Sequence, residues 1–70
     1  MDEFATWTDQ LQEAEVQLEA AHTVLAELQR ELKEAGRKKD MLAIAEVVDR
    51  LARYGRLFED MRLSWAESRF

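Results

Sequence analysis

The side chains of this 70-residue chain that could do chemistry are few, and the most suggestive stand together at Glu19-Ala20-Ala21-His22. A Glu-x-x-His spacing puts a carboxylate and an imidazole on one helical face, with Glu15 one turn earlier. Carboxylate-bridged metal centres in helical bundles use this spacing, but they take a second ligand set from facing helices. The segment expected opposite, Leu51 to Gly55, offers no inward carboxylate. No metal site and no cofactor are therefore expected, and Glu19 and His22 read as an exposed acid and a histidine bordering the core. Nucleophilic catalysis lacks its parts as well: Ser64 and Ser68 lie several helical turns from His22, and the chain has no cysteine. Glycine-rich phosphate loops are absent, so an enzyme is not expected.

Basic side chains are the next candidates. Arg37, Lys38 and Lys39 cluster in one place, and Arg50, Arg53 and Arg56 follow further on. Repeated in a dimer, such an arginine row could read the shape of an RNA. Glu46, Asp49, Glu59 and Asp60 interleave with it, however, and the net charge is −5. The field repels polyanions, so nucleic acid is not the expected partner. Arginines pairing with acids three or four residues away account for the pattern more simply.

The elements that must carry these side chains are helices. Proline is absent, glycine occurs only at Gly36 and Gly55, and 47% of residues are hydrophobic, too many for disorder. From Phe4 apolar positions recur in steps of three and four, through Trp7, Leu11, Ala14, Leu18, Ala21, Leu25 and Leu28 to Leu32 and Ala35. That is a heptad seam. Gly36 stands where a helix C-cap would need a left-handed residue. A second seam follows at Met41, Ile44, Val48, Leu51, Phe58 and Trp65.

The sequence thus predicts an all-α fold, a single domain over residues 1–70. Helix 1 is expected at about 3–35, the turn at about 36–39 and helix 2 at about 40–68, folded as an antiparallel two-helix hairpin. Pairing positions that sum to 72 or 73 sets Leu25 against Val48, Ala21 against Leu51, Leu18 against Gly55, Ala14 against Phe58 and Trp7 against Trp65. Large faces small at Leu18/Gly55, so a leucine at 55 is expected to clash. Arg62 falls opposite Leu11, and it either reaches out to a carboxylate or marks a slipped register.

One two-helix seam buries little apolar area against the ordering entropy of 70 residues. Helix 2 has surplus apolar surface. Val47, Tyr54, Leu57 and Met61, with Arg50 and Trp65, form the expected protein-binding or dimer interface, and the simplest occupant is a second hairpin, giving a homodimeric four-helix bundle. Charge divides between the halves. Residues 1–34 hold nine acids against two basic residues, while residues 35–70 hold eight basic residues against six acids. Aromatic Phe4, Trp7, Trp65 and Phe70 are expected to converge at the open end.

No apolar run approaches the roughly 18 residues of a membrane span, and Met1-Asp2-Glu3 carries acids where a signal peptide would carry lysine or arginine. A cytoplasmic protein is expected. In length and periodicity the chain resembles two kinds of small helical hairpin. One is the Rop-type plasmid regulator, a dimer of hairpins, and that likeness implies RNA binding by the helix 2 arginines. The other is the co-chaperone for type III secretion needle subunits, similar over Leu25 to Gly36 and the apolar helix beyond. That likeness implies covering an aggregation-prone helix. The leading expectation is a non-catalytic interaction protein, an inhibitor, anti-activator or chaperone working by helix packing on a protein partner.

Overall fold

Neither half of the chain contains a proline, and strong helix formers dominate both, alanine, leucine and glutamate in the first and arginine, alanine and leucine in the second, so each half propagates as uninterrupted helix. The computed structural model describes residues 3–68. Helix α1 spans Glu3–Glu34 and helix α2 spans Lys38–Ser68, with no strand among the described residues. The helices pack side by side into a rod of 53 × 15 × 11 Å.

Gly36 ends α1 as its position requires. Its φ is +75°, a conformation costly for residues with a Cβ. The amide of Gly36 donates to the carbonyl of Lys33 at 3.2 Å and that of Arg37 to Leu32 at 2.9 Å. This paired arrangement is a Schellman cap, which satisfies two otherwise orphaned carbonyls. The connection is tighter than the sequence implied, because Arg37 starts the next helix at once: its carbonyl accepts from the Met41 amide at 2.9 Å. Asp40 then lies in the first turn of α2, where the helix dipole favours an acid, and pairs with Arg37 at 2.5 Å. Helix α2 therefore begins at Lys38.

Half-buried positions mark the seam. In α1 Leu11, Leu18, Leu25 and Leu32 form one row, and in α2 Val48, Leu51, Gly55 and Phe58 alternate at steps of three and four. The second row of α1 is broader than expected: Ala14 and Ala21 share it with Glu15, His22 and Gln29, which are also half-buried. Leu28, expected in the seam, is instead 37% exposed at its edge. Alanines are too small to hold the helix on one line, so α1 rolls until the next residue along shares the contact.

A Cβ built at Gly55 meets nothing within 4 Å, so the seam has room for an alanine at this position. No side chain among the described residues is fully buried.

Candidate functional site

The seam divides the hairpin into two flanks of different chemistry. On the first, α1 contributes Glu15, Glu19 and His22, and α2 contributes Ala52, Gly55 and Glu59, around an open cleft of about 280 Å³. Leu18 and Leu51 form its floor. Arg62 closes one end: its Nε donates to Glu15 Oε2 at 2.8 Å and its Nη2 to Glu15 Oε1 at 3.3 Å. This is the ion pair that ties α1 to α2, and it is only a quarter exposed or less on both sides. The hydrogen bond it donates to Glu15 raises the Arg62 pKa above its ordinary value, against a smaller opposing effect of desolvation. Arg62 thus reaches a carboxylate one turn along from Leu11, the residue opposite it.

The Glu19/His22 pair expected from sequence does share this flank. Among the described residues, no group of three His, Asp or Glu side chains is placed to hold a metal ion. Chemically the cleft is a shallow acidic surface joined by one bidentate arginine.

The other flank is apolar. Heptad geometry sets the residues just before Glu15, His22 and Gln29 on the side of α1 away from the cleft, which gives a row of Trp7, Ala14, Ala21 and Leu28. One residue outside its seam positions α2 presents Val47, Tyr54 and Met61 there, with Leu57 at the outer edge, and the same step on α1 sets Val24 with Gln10, Gln17 and Glu31 as a largely polar outer row beside the apolar one. Tyr54 is 50% and Leu57 52% exposed. Contiguous apolar surface across two helices is the feature that marks an association surface, whereas single exposed hydrophobics do not.

The remaining expected interface residues fall in two places. Arg50 borders the apolar flank and pairs with Glu46 at 2.6 Å, and Arg53 pairs with Asp49 at 2.6 Å. Trp65 is half-buried at the open end of the seam, its ring 6.3 Å from Trp7. Phe4 meets Trp7 edge-on with centroids 5.3 Å apart. The aromatic cluster therefore joins Phe4, Trp7 and Trp65, while Phe70 lies outside the described residues.

Sequence reasoning placed the surplus apolar surface on helix 2 alone and missed the contribution of α1. Of the Trp7, Ala14, Ala21, Leu28 row expected in the seam, Ala14 and Ala21 are half-buried there, while Trp7 and Leu28 are more than a third exposed. No helix among the described residues is long and apolar enough to cross a membrane. No family model, curated protein or solved structure matches this chain.

Proposed function

We propose that this chain is a non-catalytic protein–protein interaction module that associates through its apolar flank. Two hairpins bury that flank against each other as a four-helix bundle, and the assembled form acts by occupying a surface on another protein, as an inhibitor or chaperone. The observation that carries the reading is that both helices leave large apolar side chains more than a third exposed on this flank, Trp7 and Leu28 on α1 and Val47, Tyr54 and Met61 on α2, where no described side chain is fully buried. A hairpin this thin leaves its largest favourable term, removal of apolar area from water, mostly unrealised until a second layer is added. The outer faces and the aromatic end then remain for a target.

The test is a double variant, Leu57→Glu with Met61→Glu, with molar mass measured by light scattering over a concentration series. The parent is expected to run as a dimer and the variant as a monomer with unchanged helix content, since both positions lie outside the seam. Equal association by the two proteins would overturn the assignment. RNA binding by the arginines is the weaker reading, because Arg50 and Arg53 each have a carboxylate one turn away.

A further inference from the structure

Two hairpins can bring their apolar flanks together in two symmetric ways, and side-chain size and charge discriminate between them. This inference rests on reading that flank as an association surface. With the turns at the same end, α1 of one protomer stacks on α2 of the other. With the turns at opposite ends, α1 stacks on α1 and α2 on α2.

The α1 row is bulky at its ends and small in the middle: Trp7, Ala14, Ala21, Leu28. The α2 row, Val47, Tyr54, Met61, carries its largest side chain at the centre. Within one hairpin Leu18 and Gly55 line the same cleft as His22 and Leu51, so Tyr54 is level with the stretch between Ala14 and Ala21. Stacking unlike helices sets Tyr54 between the partner's Ala14 and the partner's Ala21, beside the partner's Gln17. Val47 then falls between the partner's Ala21 and the partner's Leu28, and Met61 between the partner's Trp7 and the partner's Ala14. Stacking like helices sets tyrosine on tyrosine, which overfills that layer.

Charge points the same way. Helix α1 holds eight acids against two basic residues, whereas α2 holds six of each. Like-helix stacking would set two strongly acidic helices against each other, and unlike-helix stacking places each on a neutral one bordered by Arg50 and Arg53. The available face, 53 Å long and 15 Å wide, is on the scale of the roughly 800 Å² per partner that stable interfaces bury.

We infer that the occupant of the apolar flank is a second copy of this chain, docked with its turn at the same end, so that Tyr54 packs on the small side chains of the partner's Ala14 and the partner's Ala21.

The absence of cysteine permits a direct test. Lys38→Cys at the turn and Thr6→Cys at the open end, each exposed, are spin-labelled separately and read by pulsed dipolar spectroscopy alongside the light-scattering mass. A dimer with both label pairs separated by a small fraction of the 53 Å length is expected. A dimer with both pairs near that full length overturns the orientation and leaves the association reading standing. A monomer at every concentration overturns both.

Discussion

The two flanks of the hairpin are built on the same helices and the same seam, yet one is satisfied within the chain and the other is not. On the acidic flank Arg62 reaches across to Glu15, and the cleft beside them is lined by solvated acids. On the apolar flank Trp7, Leu28, Val47, Tyr54 and Met61 are each more than a third exposed. Charged groups on a thin rod are hydrated wherever they lie, but apolar groups gain only by contact. The fold and the association surface are therefore distinct parts of one molecule, and each can be damaged separately.

The largest contrast is expected from placing one charge on each flank. Tyr54→Glu should weaken association by about 30-fold or more, the effect of losing a hot spot of ~2 kcal/mol. Val16→Glu, beside the Glu15–Arg62 pair, should leave it within about twofold. Sedimentation equilibrium of both variants checks the claim, and equal effects would abolish the distinction between the flanks. Next in size is the seam. Leu25→Ala, at a half-buried position, should cost about 2 kcal/mol of folding stability, while Leu42→Ala, at 55% exposure, should cost under about 0.5 kcal/mol. Urea denaturation distinguishes them, and similar midpoints would mean the seam is not where the helices hold together.

The two glycines provide the third contrast, because the same substitution should act with opposite sign. Gly55 lies inside α2 with open space around its missing side chain, so Gly55→Ala should stabilise by about 1 kcal/mol through helix propensity. Gly36 has φ +75°, so Gly36→Ala should destabilise by about 1 kcal/mol although nothing obstructs its Cβ. Thermal melts of the pair decide it. A fall in midpoint for Gly55→Ala would restore the close approach to Leu18 that sequence pairing implied.

What could be read from the sequence follows from what periodicity encodes. The leucines at 11, 18, 25 and 32 repeat every seven residues and are bulky, so they define one edge of the seam without ambiguity, and Gly36 breaks the pattern where the chain reverses. Periodicity leaves the second edge open by about one residue. Alanine at 14 and 21 fits the seam or its flank equally well, and the structure resolves this by bringing Glu15 and His22 partly inward and leaving Leu28 at the rim. The Glu15–Arg62 pair was half legible, since an arginine at a seam position must send its charge somewhere. Which of the nearby carboxylates receives it depends on how far the two helices have rolled, and that is a tertiary quantity.

The smallest expected effect tests whether charge pairs along one helix matter to the fold at all. Arg30 lies between Glu27 and Glu34, pairing with both, and its hydrogen bond and charge hold the Glu27 carboxyl below its ordinary value of 4.5. A depressed carboxylate contributes stability that is present above its unfolded pKa and lost as pH falls through the folded one. The contribution of this pair should thus be complete at neutral pH and disappear on acidification below about 4.5. Because both side chains are more than half exposed, solvent screens the interaction and the effect should be smaller than that of either glycine change. Glu27→Gln removes the titrating group while keeping the side chain's length. The expected outcome is a slightly lower thermal midpoint at neutral pH, with the gap to the parent closing between about pH 5 and about pH 3. A gap that stays constant across that range would mean Glu27 acts through helix propensity alone, and the rod would then owe its stability to the seam and its caps.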